Sequence, residues 1–117
     1  MQMKKILLVD DDLDILDIVK RILVENGFNV TTKSDGFNLP EVVNEYKPNI
    51  IILDIRLPGK RGTELCKELK EIYSIPIILF SAEPIKSFEE CDADDFIQKP
   101  FEVKHLITVI NSHLKAA

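Results

Sequence analysis

Short, unbroken apolar runs alternate along this chain with segments whose apolar residues recur every third or fourth position. The first pattern suits strands buried on both faces, and the second suits helices that turn one face to a core. Lys4 to Val9 reads as a first strand. Leu13, Ile15, Leu16, Val19, Ile22 and Leu23 then follow helical spacing, and Asn26-Gly27 supplies a stop. Phe28 to Thr32 predicts a second strand, closed by the turn Ser34-Asp35-Gly36. A second helix is expected from the N-cap Asn38 to Tyr46, with Pro40 in its first turn and Glu41 three residues past the cap. Asn49 to Leu53 gives a third strand, and Gly62-Thr63 opens a third helix with Leu65, Leu69 and Ile72 on one face. Pro76 to Phe80 gives a fourth strand, with proline only at its first residue. Phe96-Ile97-Gln98 gives a fifth. The last helix runs from Glu102 to Leu114, burying Leu106, Ile107, Val109, Ile110 and Leu114. The interval Glu83 to Asp95 has few regularly spaced apolar residues, so a fourth helix there should be short or irregular.

Strands alternating with helices imply a doubly wound α/β fold: a five-stranded parallel sheet covered on both faces. Right-handed crossovers give the order 2-1-3-4-5, one of the common doubly wound orders. In that order the helices after strands one and three leave on opposite faces, so a crevice opens at the carboxyl ends of those strands.

That crevice changes the meaning of three acidic positions. Asp54 ends the apolar run Ile50-Ile51-Ile52-Leu53, and Asp10-Asp11-Asp12 follows Ile6-Leu7-Leu8-Val9. A carboxylate where a buried strand leaves the core is costly unless a cation meets it. Lys99-Pro100, late in the chain, offers one cation, and a divalent metal would be another. The pattern predicts an acidic pocket for a divalent cation with a nucleophilic aspartate, Asp54, beside it. Asp12 has a plainer reading as the cap of the first helix, because Leu13 begins the apolar pattern.

At 117 residues the chain is the size of one domain and long enough to fold without metal or disulfide. A formal net charge of −5 argues against nucleic acid as a direct partner, since phosphate backbones demand a basic face. The two cysteines, Cys66 in a helical pattern and Cys91 in a polar connection, match no metal or redox motif. They read as reduced bystanders in a cytoplasmic protein. No signal peptide and no membrane-spanning run is visible.

Leu8-Val9-Asp10-Asp11, Leu53-Asp54 with Leu57-Pro58-Gly59, Phe80-Ser81-Ala82, Asp94-Asp95-Phe96 and Lys99-Pro100-Phe101 together resemble the receiver domains of two-component response regulators, the CheY-like superfamily. The resemblance covers residues 1–117 as a single receiver domain. It implies that Asp54 is the phosphoacceptor and that Asp11 is a direct Mg²⁺ ligand. Asp10 would join the acidic pair, often through water, and the main-chain carbonyl of Arg56 would supply another metal ligand. Ser81 would bond a phosphoryl oxygen, Lys99 would meet the phosphoryl group, and Phe96 would occupy the aromatic switch position. The implied donor is a histidine kinase or a histidine phosphotransfer protein. The implied role is a phosphorelay switch assisting its own phosphorylation and dephosphorylation, rather than an enzyme for an outside substrate. The downstream protein target is not specified, and homodimerisation on phosphorylation is one family behaviour. His105 and His113 are assigned no phosphotransfer role.

Two departures from the family pattern stand out. The interval from Ser81 to Lys99 is roughly one helical turn shorter than usual, and Asp92 stands where glycine is common. Both fall on the region receivers use for dimerisation or output, and they leave a second reading open, a receiver-like interaction module that is not phosphorylated. Phe96 also lacks the hydroxyl that a tyrosine switch would use. Haloacid-dehalogenase-like phosphatases share a strand-end Asp-x-Asp, a Ser and a Lys. Here, however, their Gly-Thr is replaced by Leu13-Asp14, Asp94-Asp95 precede Lys99, and Asp54 would have no role. No further module follows the last helix, which fits either a single-domain regulator or an excised piece of a longer protein.

Overall fold

The computed structural model describes residues 3–82 and 91–114. Its elements are β1 (Lys5–Val9), α1 (Leu13–Glu25), β2 (Asn29–Lys33), α2 (Leu39–Tyr46), β3 (Ile50–Asp54), α3 (Gly62–Ile72), β4 (Ile77–Ser81), β5 (Asp95–Gln98) and α4 (Val103–Leu114). The five strands form one parallel sheet in the order β2-β1-β3-β4-β5, as the alternating pattern predicts. The irregular helix expected between β4 and β5 falls mainly on residues 83–90, outside the described residues.

Side chains of successive strand residues point to opposite faces, and the chain fills both. Leu7, Val9, Ile51, Leu53, Ile77 and Leu79 pack beneath α2 and α3 against Leu39, Val43, Leu65 and Leu69. Ile6, Leu8, Ile50, Ile52, Ile78 and Phe80 pack against Leu16, Val19 and Leu23 of α1 and Leu106 and Ile110 of α4. Each fully buried aliphatic side chain contributes about 1.5–3 kcal/mol by leaving water, so the unbroken apolar runs are what hold this sheet between its helices.

Several local expectations are corrected. Ile72 is 61% exposed instead of buried. The buried stripe of α3 runs through Gly62, Leu65, Cys66 and Leu69, and Tyr73 continues it, packing on the core with its hydroxyl donating to the Pro40 carbonyl at 3.2 Å. Ile72 therefore faces outward. Leu13 is also exposed, at the solvent side of the first turn of α1. Asn38 does precede α2, but its side chain makes no capping bond. It adopts the left-handed backbone (φ 55°), which asparagine tolerates better than most residues. Cys91 is buried, and the Cys66 thiol lies 3.5 Å from its carbonyl oxygen. Burial and the neighbouring thiol push the Cys66 pKa up, which suits inert thiols.

Asp92, where a glycine is common in receivers, has φ 61°. The left-handed backbone that favours glycine is kept, and an aspartate, one of the few other residues that visit it, occupies the position. At the start of α3, the Gly62 N–H donates to the Ile55 carbonyl at 2.7 Å. A Cβ on Gly62 would collide with main-chain atoms of Asp54 and Ile55. Glycine is needed there for close approach, because only a hydrogen fits between α3 and the end of β3.

Candidate functional site

Strand register builds the site. Val9 lies beside Leu53 in the β1–β3 ladder, so the next residues along, Asp10 and Asp54, leave the sheet side by side. Asp54 in turn pairs with Phe80, which puts Ser81 one step further out. Ser81 pairs with Gln98, and the Lys99 N–H donates to the Ser81 carbonyl at 2.9 Å. The Lys99–Pro100 peptide bond is cis. Residues far apart in sequence thus meet because each ends, or just follows, one of four adjacent parallel strands.

Local turns then aim the carboxylates. Asp10 Oδ1 accepts the Asp12 N–H at 2.9 Å. Asp54 likewise accepts a hydrogen bond from the Arg56 main chain. In both cases an aspartate bonds the backbone two residues ahead, the turn geometry that short acidic side chains favour. Asp12 caps α1 as expected, accepting from the Asp14 and Ile15 N–H groups.

The result is a polar cavity of about 460 Å³ lined by Asp10, Asp11, Asp12, Asp54, Arg56, Ser81, Ala82 and Lys99. Carboxylate oxygens of Asp10, Asp11 and Asp54 lie within 4.8 Å of one another. Asp10 and Asp54 are 0% and 4% exposed and Ser81 is 2% exposed, while Asp11 is open to solvent. Lys99 Nζ bonds Asp10 Oδ2 at 2.7 Å and stands 3.7 Å from Asp54 Oδ1. The same ammonium lies 4.7 Å from the centroid of the Phe80 ring, a cation–π contact that steadies it over the pocket.

One lysine does not balance these acids. Desolvation by burial first, then repulsion from Asp10, raises the Asp54 pKa from 3.8 to about 6, despite the opposing pull of Lys99 and the Arg56 main-chain bond. A set of hard oxygen donors, close together and short of positive charge, has the chemistry a divalent cation of the Mg²⁺ type selects.

Of the residues singled out from sequence, Asp10, Asp11, Asp54, Arg56, Ser81 and Lys99 all line this one cavity. Phe96 does not. It is buried in the core on the α2–α3 side of the sheet. Sequence reasoning missed Phe80 as the platform under Lys99 and Gly62 as the contact that seats α3. An aromatic at the last buried position of β4, and a glycine inside a helix start without turn signals, were the available clues.

The comparisons agree with this fold. The family model for the response regulator receiver domain matches residues 6–111. The receiver domain of NtrX from Brucella abortus is 32% identical, with 96% of this chain and 99% of that one covered at a TM-score of 0.86. The N-terminal receiver domain of RstA from Klebsiella pneumoniae is 31% identical, with 96% and 99% covered and a TM-score of 0.90. A CheY-like response regulator receiver domain protein from Methanospirillum hungatei is 31% identical, with 97% and 95% covered and a TM-score of 0.89. The chain belongs to the response regulator receiver domains of two-component signalling. Among the described residues no helix is long and apolar enough to cross a membrane.

Proposed function

We propose that this chain is a phosphoacceptor switch in which Asp54 takes a phosphoryl group from a phosphohistidine donor. The observation that carries the reading is the convergence of Asp10, Asp11 and Asp54 oxygens within 4.8 Å, with the Lys99 ammonium beside Asp54. Asp11 and Asp54 would hold Mg²⁺, with Asp10 contributing through water and the Arg56 main-chain carbonyl completing the protein's donors. When bound, the ion neutralises the clustered acids and offsets negative charge on the transferring group.

The chain's own residues do the rest. An Asp54 carboxylate oxygen attacks phosphorus, the bond from phosphorus to the donor's imidazole nitrogen breaks, and the nitrogen's electron pair returns to the ring. Lys99 needs only a small shift to meet the phosphoryl oxygens, since phosphoryl transfer depends mainly on positioning and charge. Ser81, at the lip of β4, offers a hydroxyl to the same oxygens. Phe96, packed in the core on β5, would move with Ser81 through packing and the single serine hydroxyl bond. The RstA receiver is described as BeF3-activated, which supports anion occupancy of an equivalent pocket here. The donor would be a histidine kinase or histidine phosphotransfer protein in the cytoplasm. The output would be altered binding of a protein target, with homodimerisation one route. We assign the chain no outside substrate.

The test is intact mass after incubation with Mg²⁺ and acetyl phosphate. Wild type gains one acid-stable, base-labile phosphoryl group, and Asp54→Asn gains none. A wild-type mass that stays unchanged while Mg²⁺ binding is demonstrated by titration overturns the switch. That outcome favours a receiver-like interaction module, the reading that the shortened Ser81–Lys99 interval keeps open.

A further inference from the structure

A second and larger cavity, about 850 Å³, lies on the sheet face opposite α1 and α4, between α2 and α3, and carries none of the residues invoked for phosphoryl transfer. Its walls are α2, α3, the turn before α2 and the Pro58–Lys60 turn after β3. Leu65 forms part of the floor, and Gly36 lies directly over it, where any Cβ would collide with the leucine. Phe37 and Ile72, 74% and 61% exposed, stand at this groove with their apolar surface in water. A large exposed aromatic and a β-branched aliphatic flanking one concavity make a coherent apolar patch, not scattered surface residues.

The charge is one-sided. Asp35, Glu41, Glu68 and Glu71 line the groove with one lysine, Lys60, which is bonded to Glu68. Lys33 meets Asp35 at 3.7 Å from outside the lining, so the negative surplus rests on Glu41 and Glu71. An occupant must therefore combine apolar anchors with positive charge. A second copy of this chain would bring a surface of the same sign in a molecule of net charge −5. Nucleic acid and anionic lipid are excluded by sign. The lining includes no strand residue and hence no sheet edge to extend, so a strand-adding peptide has no ladder to join.

We propose that the α2–α3 groove docks a basic amphipathic helix of a partner protein, anchored by apolar side chains between Phe37 and Ile72 and held by Glu41 and Glu71. The proposal does not rest on Asp54 being a phosphoacceptor. The test is an amide chemical-shift titration of the full chain with three synthetic peptides. One is a lysine–leucine amphipathic helix, one its glutamate–leucine counterpart, and one a lysine–serine peptide of equal charge.

The lysine–leucine peptide shifts the amides of Phe37, Gly59 and Ile72, the lysine–serine peptide binds several-fold more weakly, and the glutamate–leucine peptide does not bind. Glu41→Lys with Glu71→Lys weakens the first peptide by about tenfold. Ile72→Ala weakens it by about threefold while leaving the unbound spectrum folded. The proposal is overturned if the shifts fall instead on Asp10–Asp12 and Asp54, or if the lysine–serine peptide binds equally well. It is also overturned if the double variant binds unchanged, or if these amides broaden with protein concentration alone, which would make a second copy the occupant.

Discussion

The two ends of the parallel sheet treat polar groups in opposite ways. At the amino end each is settled within the chain. Asp94 Oδ2 accepts from Lys70 Nζ and from the Ile77 N–H, both at 2.8 Å. Lys5 Nζ donates to the Tyr46 carbonyl at 3.2 Å, and the Lys5 N–H to Asn49 Oδ1 at 2.8 Å. At the carboxyl end Asp10, Asp11 and Asp54 crowd together with Lys99 as the cation bonded among them. No buried side-chain polar atom of the described residues lacks a hydrogen-bond partner, so both ends satisfy hydrogen bonding. The difference is net charge. One end is finished by folding, and the other is left with a surplus of negative charge that a bound cation, or a proton on Asp54, would relieve.

Removing a partnered acid should therefore act with opposite signs at the two ends, whereas removing the cation at the carboxyl end should destabilise. The largest effect is expected for Lys99→Met in chelator-containing buffer. It leaves the fully buried Asp10 without its ammonium and should lower unfolding free energy by about 3 kcal/mol. Denaturant midpoints check this, and a negligible loss would mean that the Asp12 N–H suffices to hold Asp10.

Asp54→Asn should do the reverse. The native Asp54 keeps its proton up to about pH 6, whereas the unfolded chain releases it near 3.8. Stability contributed by the protonated form is thus complete below about pH 4 and is lost as pH rises through about 6. In metal-free buffer above pH 6 the variant should be more stable than wild type by about 2 kcal/mol, with the gap closing on acidification. Added Mg²⁺ should stabilise wild type more than the variant, shrinking the gap again. Thermal unfolding at a series of pH values would expose a wrong sign at once.

At the amino end Asp94→Ala removes a partner of both Lys70 and the Ile77 N–H and should cost about 1.5 kcal/mol, independent of Mg²⁺. A Mg²⁺-dependent loss would erase the contrast between the ends. The smallest effect is expected for Asp92→Gly, which relaxes a left-handed backbone and should gain about 0.5 kcal/mol, measurable as a small rise in denaturant midpoint.

How much of this was readable in advance divides along physical lines. The carboxylates were legible because parallel register is repetitive. Apolar runs of similar length put Asp10 and Asp54 at equivalent strand ends, and Ser81 follows by the same logic. The direct Lys99–Asp10 bond was less so, because it spans 89 positions in sequence and depends on side-chain geometry that spacing does not encode. Asp92 departs from the family pattern in its residue type, but its left-handed backbone angle is not encoded in spacing or composition. Ile72 was misplaced because helical periodicity names a face without saying where the covering core ends. The charged groove beside it went unread for the same reason, its wall being drawn from four separate segments.

Gly62 has a mechanical meaning as well as a steric one. The first turn of α3 rests on the main chain of residue 54 with no cushioning side chain between them. A joint without slack passes a push along instead of absorbing it. If chemistry at Asp54 moves its backbone by a fraction of an ångström, α3 pivots like a lever, and Leu65 and Ile72 travel with it.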